Sequence, residues 1–559
     1  MVTKVQKKIG VFALALVLVA VGFFSYHYYN KHHEPALPPI ASHTDIPKQS
    51  LLTFAQSLTK AAPSDLSNFQ DSKCAPLTPG WLQQENQQTG VPMTIANWAK
   101  IDIANPEGSA LWIDKTSVSC GDTVNVHASL YDLNTGGSPN ERGPRRIVVM
   151  RIGWYNGSGA KIAWETAPIK LVKQRIPFAT SATRMIETNW KTTTSFTIGA
   201  DWKPGFYMVT SISPSGKIEG MSPMILRSPV GSSKLLFVHS TITWAAYDLF
   251  GSRSTYFGPG NNATKRMAER SRISSMDRPI TGSGAVHIQR DAISFVQYLE
   301  QQGIQVDQIA DTDLDQWPSI SSHYNGLVFS GHAEYMTRRI FDTLVAARNT
   351  GINLAFFGAN TGYWQTRLEP SPSGIDRHVV IYRVATEDPI TDPMQVTVQF
   401  QDKRVNTPAA LFTGGTTDGV HVYGNLRAKD IPSWLNIPKT ASLLGWSSDS
   451  EIEGISKSHA APPNMHVLFQ GMMKLRATPT LSLNLGGKPT PRIPLGQSIW
   501  FTTPSGSAVF NAAITLWPCD LLPSCSVTQM DSTSRATLQS VTSQVLALWS
   551  QKQIGLKLK

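Results

Sequence analysis

From Lys234 to Asn360 the chain alternates short apolar runs with stretches of helical periodicity, and this alternation restricts the fold more than any other feature. Lys234 to His239 is β-branched and apolar and ends at Ser240-Thr241. Ile288, Ala292, Phe295, Val296 and Leu299 follow at helical spacing, with Gly303 placed to cap the helix. Val306 to Ala310 reads as a strand running into Asp311-Thr312-Asp313, and Gly326 to Ser330 as another running into Gly331-His332-Ala333-Glu334. Met336, Ile340, Phe341, Leu344 and Val345 then share one helical face, and Ile352 to Phe357 is a buried strand ending in Gly358-Ala359-Asn360. Strands joined through helices predict a parallel sheet covered on both faces.

At 559 residues the chain exceeds what one hydrophobic core supports, so several domains are expected. Between about Ile95 and Ser228 short alternating runs, such as Asp122 to Tyr131, Arg146 to Ile152 and Gly205 to Ser211, are separated by Gly, Pro and Asn turns. That pattern predicts an antiparallel sandwich. After about Val380 strands and loops dominate, with a final helix near Ser534 to Ser550. The division read from the sequence is a basic tip and transmembrane anchor at 1–30, a Pro- and His-containing linker at 31–94, a β-sandwich at 95–230 and an α/β domain at 231–559. The fold class expected is α/β plus all-β: an N-terminal anchor, an Ig-like sandwich, then a Rossmann-like domain with the layout of class I glutamine amidotransferases.

The anchor is read from Lys4, Lys7 and Lys8, which precede an apolar run from Ile9 to Phe24 and then Tyr26, Tyr28 and Tyr29. A cleaved signal peptide is the competing reading, and both export the remainder. The expected location is a single pass through the inner membrane with the bulk of the chain extracytoplasmic. Cys519 and Cys525 lie close together in one loop, and Cys74 and Cys120 form the other candidate pair; four cysteines permit three connectivities. The net charge of +11 is diffuse, with no basic run long enough for a nucleic-acid stripe, so no nucleic-acid partner is expected.

Sites in parallel α/β sheets lie outside the carboxyl ends of the strands. Asp311 and Asp313, His332 and Glu334, and Asn360 all stand at such ends, and the first strand leads to Tyr247 and Tyr256. Each has two readings. The aspartates turn the chain and cap a helix, or join a site. His332 bonds a loop, or contacts substrate. Glu334 complements a helix dipole, or serves as ligand or base. Asn360 caps a turn, and the tyrosines are half-buried aromatics, unless they too belong to the site. No Gly-x-Ser-x-Gly elbow or elbow cysteine is present, which disfavours a serine or cysteine nucleophile.

Together these residues resemble the C-terminal part of the large subunit of N,N-dimethylformamidase and its relatives. The resemblance rests on Gly153-Trp154-Tyr155, Thr243-Trp244-Ala245-Ala246-Tyr247, Ser254-Thr255-Tyr256, Asp277-Arg278-Pro279, Asp311-Thr312-Asp313-Leu314, Ser330-Gly331-His332-Ala333-Glu334-Tyr335 and Gly358-Ala359-Asn360 before Tyr363-Trp364. It implies an iron-dependent amidase with Tyr247, Tyr256 and Glu334 as ligands to Fe(III). His332 and Asn360 match orienting positions, Glu451 corresponds to a glutamate base, and Arg383 falls near a family lysine. Three anionic oxygen donors suit a hard trivalent cation. The expectation is a hydrolase acting on an amide or related C–N bond of a small or envelope-derived substrate, as a monomer or homo-oligomer. The alternative is a cell-envelope binding or assembly protein that retains the fold without the chemistry.

Overall fold

The computed structural model describes residues 66, 69, 73–98, 108–131, 143–456, 461–475, 495–523 and 530–558. Two sheets build the first half. One has six strands in the order Val91–Pro92, Gly159–Glu165, Arg146–Ile152, Gly205–Ile212, Ile218–Leu226 and Ser117–Val118; the other comprises Gly108–Ile113, Thr123–Tyr131 and Thr194–Thr197. Val124, Val126, Val149, Tyr207 and Val209 from the two sheets share one buried core. A disulfide joins Cys74 to Cys120; Cys519 is also disulfide-bonded, while Cys525 lies outside the described residues. The helix Trp81–Asn86 docks on this half: Asn86 Oδ1 accepts the N–H groups of Trp154 and Tyr155, and Tyr155 donates its hydroxyl to Glu85.

The second half is organised by one large sheet. Its elements in chain order are β1 (Leu235–His239), α1 (Thr241–Tyr247), α2 (Gly282–His287), α3 (Ser294–Gln301), β2 (Asp307–Ala310), α4 (Asp311–Gln316), β3 (Gly326–His332), α5 (Arg338–Asn349) and β4 (Asn353–Ala359). There follow β5 (Gly415–Ala428), β6 (Ser442–Ile455), β7 (His466–Met472), β8 (Leu495–Thr502), β9 (Ala508–Asn511) and α6 (Ser532–Trp549). The strand order is β2-β1-β3-β4-β9-β8-β7-β5-β6, with Lys474–Leu475 paired to β5. Alternate side chains along the parallel strands enter two different cores. Leu235 and Phe237 of β1 pack on α3 residues such as Phe295 and Leu299, whereas Leu236 and Val238 join α5 residues such as Ile340 and Leu344. Burial on both faces is why these strands are continuously apolar.

The expected fold class is corrected at this point. Only β2, β1, β3, β4 and β9 run parallel; β9 to β8, β8 to β7, β7 to β5 and β5 to β6 are antiparallel. The connection from Thr502 to Ala508 is too short for a parallel crossover, which takes a dozen or more residues, so it closes a hairpin. A separate sheet in the order Ile273–Ser275, Gly374–Val380, Trp364–Ser371 and Tyr335–Thr337 carries the chain away from the large one. The molecule is thus a mixed α/β and β-rich protein with several sheets. It is not an Ig-like sandwich followed by a Rossmann-like, amidotransferase-type parallel domain.

The membrane expectation is corrected as well. Among the described residues no helix is long and apolar enough to cross a membrane. The anchor read at 1–30 lies outside the described residues, and the single-pass inner-membrane placement is not carried forward.

Ion pairing joins the two halves. Arg151 in the six-stranded sheet meets Glu300 of α3 at 2.6 Å, with both side chains nearly inaccessible to solvent.

Candidate metal centre and active site

Tyr247 ends α1, which follows β1, a strand held between β2 and β3. The following loop folds back on that helix: the Thr255 N–H and hydroxyl both donate to the Ala246 carbonyl, at 3.2 and 2.9 Å. This return sets Tyr256 beside Tyr247, with ring centroids 4.5 Å apart. Glu334 follows the neighbouring strand β3, and its carbonyl is held by the N–H groups of Tyr363 and Trp364. Two glycines allow β3 and β4 to converge here. A side chain on Gly358 would collide with the Gly331 carbonyl, and Gly331, at φ +64°, leaves room for Asp291 where a Cβ would fall 2.1 Å from its Cγ.

The oxygens of these three side chains meet. Tyr247 Oη donates to Glu334 Oε2 at 2.6 Å; Tyr256 Oη lies 2.6 Å from both Glu334 carboxylate oxygens and 2.7 Å from Tyr247 Oη. Burial, followed by the Glu334 charge, pushes both phenols well above their ordinary pKa. Burial likewise raises the Glu334 carboxyl, against the lowering pull of His332 and with a further push from Glu451. Three oxygen side chains share this small buried volume. The donor set fits a hard cation, which would offset the burial of phenolate and carboxylate charge together. Among the described residues no group of three or more His, Cys, Asp or Glu side chains could hold a metal ion, so tyrosine oxygens are what make this cluster a candidate centre.

Further polar side chains border the cluster on one side. His332 Nε2 is 3.2 Å from Glu451 Oε2 and 3.6 Å from Glu334 Oε2. Burial lowers the His332 pKa, but Glu451, Glu334 and Asp291 outweigh it and leave the ring above its ordinary value. Asn360 Nδ2 donates to the same Glu451 oxygen at 2.5 Å and lies 3.1 Å from His332 Nε2. Asn360 sits just beyond β4 in the left-handed region, φ +55°, a conformation asparagine tolerates better than most residues. That turn is held by Glu453, whose Oε1 accepts the Thr361 N–H at 3.2 Å and whose Oε2 accepts Asn511 Nδ2 at 2.6 Å. A cavity of about 20 Å³, room for roughly one water, is bordered by Asn360, Thr361, Glu453 and Thr417.

The remaining residues singled out in the sequence fall elsewhere. Arg383 stands behind the cluster: its guanidinium lies 3.7 Å from the Tyr256 ring centroid and 4.7 Å from that of Trp364, and it donates to the Tyr335 hydroxyl. Asp311 accepts from the Thr241 and Ile242 N–H groups and the Thr241 hydroxyl, capping α1 from the first turn of α4. Asp313 accepts from the Ala310 N–H and the Ser117 hydroxyl. Neither aspartate joins the oxygen cluster.

Two residues that were passed over do border it. His287 ends α2, and Asp291 lies within the π-helical turn Ile288–Ile293 that follows. The His287 ring centroid is 4.6 Å from that of Tyr247 and 5.1 Å from that of His332. His287 and Asp291 stand at i, i+4 in the sequence, but Ile288 and Ala292 beside them give the stretch the pattern of an apolar helix face.

Residues 146–529 match the family described as N,N-dimethylformamidase beta subunit-like, C-terminal. The chain belongs to that family. Its membership rests on well over half the length, including every residue of the cluster. No curated protein matches the chain. Among solved structures it is similar to a Paenibacillus sp. cycloisomaltooligosaccharide glucanotransferase complexed with cycloisomaltoheptaose, at 10% identity, 45% of each chain and a TM-score of 0.16. The chain therefore spans less than half of that structure, and so distant a likeness carries no argument about this dimethylformamidase-like protein.

Proposed function

We propose that this dimethylformamidase-like chain hydrolyses an amide or related C–N bond at a centre where Tyr247, Tyr256 and Glu334 hold iron(III). The observation that carries the reading is the meeting of Tyr256 Oη with Tyr247 Oη at 2.7 Å and with both Glu334 oxygens at 2.6 Å. Bound iron would supply Lewis acidity toward an amide carbonyl oxygen and toward water.

The chain's own residues do the rest. Glu451 accepts a proton from the attacking water at Oε2, the oxygen that His332 and Asn360 already orient. His332, beside Glu451 and Glu334, donates toward negative charge developing on the substrate. Arg383 takes no part in bond making; it stacks on Tyr256 and keeps that ring in place. The buried surroundings of Glu334 strengthen each of these interactions relative to water.

Metal analysis of the purified chain, with its visible spectrum, tests the reading. About one iron per chain and a tyrosinate-to-iron charge-transfer band are expected, both lost in Glu334→Ala. Full metal content in Glu334→Ala, or no metal after loading the unmutated chain with iron, overturns it.

A further inference from the structure

The cavity beside Asn360 runs from a buried end to an exposed one. Asn360 and Glu453 at its inner end are buried, whereas Gln401 and Thr416 at its outer end are exposed. Its walls carry little bulk, for Gly362, Ala409, Ala410 and Gly415 contribute no side-chain atom beyond Cβ. Gly415 is bare for a reason. A Cβ there would fall 2.3 Å from Glu453 Oε2 and 2.7 Å from Asn511 Nδ2, the two atoms that bond each other at 2.6 Å.

The inner end holds acceptor capacity. Asn360 Nδ2 lies 2.5 Å from Glu451 Oε2, and an ionised carboxylate there assigns that atom as the amide nitrogen. Oδ1 is then left buried, with no hydrogen-bond partner among the described residues. Such an acceptor is costly to leave unpaired. Glu453 accepts from the Thr361 N–H and from Asn511 Nδ2, and a carboxylate offers about four lone-pair sites, so it has room for a further donor. The Thr416 and Thr417 side chains line the same space. A buried water asks for about two to four polar partners and roughly 10–15 Å³. At about 20 Å³ this cavity meets both demands and leaves no room for an amide.

We propose that this cavity supplies the hydrolytic water, which reaches Glu451 from the side of Asn360 by a route the substrate does not use. The proposal rests on the amidase reading above and deepens it. Asn360 Oδ1 and Glu453 accept the two hydrogens of the waiting water. One side chain, that of Asn360, connects its resting place to Glu451 Oε2. Once at Glu451, the water oxygen bonds to the amide carbon. One of its protons passes to Oε2 and on to the nitrogen as the C–N bond breaks. A separate route lets water arrive while substrate occupies the centre.

The experiment uses the purified, iron-loaded full chain with N,N-dimethylformamide and acetamide, following amine release. Two substitutions obstruct the cavity: Ala409→Leu in its wall and Thr416→Trp at its exposed end. In each, kcat is expected to fall at least about tenfold with KM within about threefold of the parent, the split produced by obstructing the nucleophile and not the substrate. Iron content and the charge-transfer band are expected to stay at the parent level. High-resolution crystals of the unmutated chain are expected to show one water within hydrogen-bond distance of Asn360 Oδ1, and crystals of Ala409→Leu to lack it. Melting curves establish folding, and if Ala409→Leu fails to fold the kinetic comparison is made on Thr416→Trp.

The outcomes separate the two readings. Turnover within about threefold of the parent in a folded, obstructed variant overturns the water route and leaves the hydrolase standing. A raised KM with kcat unchanged makes the cavity part of substrate binding and overturns the route as well. Absence of a water at Asn360 Oδ1 in the unmutated crystals does the same. If the unmutated chain releases no amine from either amide, the hydrolase falls and the route falls with it.

Discussion

Tyr256 Oη lies 2.6 Å from each carboxylate oxygen of Glu334, although the two residues are 78 positions apart in the chain. The contact exists because adjacent strands β1 and β3 deliver them to the same end of the sheet, and because the Thr255 backbone and hydroxyl fold the intervening loop onto α1. The same closeness makes the pair uncomfortable without a cation, since burial opposes charge on either group.

Tyr256→Phe removes one oxygen from that crowd and leaves the ring. Iron content is expected to fall below about a tenth of the unmutated level, and amide turnover by ~10²-fold or more, the scale on which removal of a group acting directly on the reaction is felt. The metal-free variant is expected to unfold within ~1 kcal/mol of the metal-free parent, because the lost hydrogen bond and the relieved phenol burial oppose each other. Metal analysis and denaturant titration check the two halves. A metal-free destabilisation well beyond that range would make the phenol structural.

Glu451→Gln keeps shape and hydrogen-bonding capacity beside Asn360 and His332 but cannot take a proton. Turnover is expected to drop by ~10²- to 10⁴-fold with iron content unchanged, the usual contribution of a general base. Activity within about threefold of the parent would remove Glu451 from that role.

Arg383 is buried, with its guanidinium stacked over Tyr256 and donating to the Tyr335 hydroxyl. Arg383→Met is expected to lower the unfolding free energy by ~2–4 kcal/mol, combining a desolvated cation–π contact with a charged hydrogen bond. Arg383→Lys is expected to recover little, since a point charge reproduces neither the planar stack nor the fork. Denaturant unfolding curves check both; full stability in Arg383→Met would place the residue outside the packing of Tyr256.

His239, at the end of β1, is buried, with Nε2 2.9 Å from Gln308 Oε1 and Nδ1 without a partner. Burial outweighs that hydrogen bond and lowers its pKa from 6.5 to about 4. The folded chain therefore keeps the ring neutral between those values, while the unfolded chain takes up a proton. More protons on the unfolded state means that this residue makes stability rise with pH across that window and fall as the solution is acidified, by up to ~1.4 kcal/mol per pH unit. In His239→Gln that part of the slope is expected to vanish. Unfolding titrations from pH 4.5 to 7.5 measure it, and an unchanged slope would count against the buried neutral ring.

How much of this was legible in the chain depends on how local each signal is. The runs Leu235–His239, Gly326–His332 and Asn353–Ala359 are apolar on both faces and bounded by glycine and polar residues, so their strand character and their polar ends can be read directly. Glu334 and Asn360 were visible for that reason, and Tyr247 and Tyr256 through the spacing shared with the family. The antiparallel half of the sheet was not visible. Strand periodicity is the same for either direction of pairing, and β5 to β8 declare their direction only by which neighbour they meet.

The position of Arg383 had no local signature, and the i, i+4 spacing of His287 and Asp291 does not by itself say that the pair stands beside a strand end. A guanidinium beside an aromatic ring, or an imidazole near a strand end, depends on contacts between segments distant in the chain.

The sequence by itself determined which short segments become strands and helices and which polar residues stand at their ends, because those outcomes follow from side-chain periodicity within a few residues. Only the tertiary structure decided that Tyr247, Tyr256 and Glu334 converge, that Arg383 lies behind them and that His287 stands beside them. These depend on strand order and loop return. Both are set by how the whole chain buries its apolar surface rather than by any neighbouring residues.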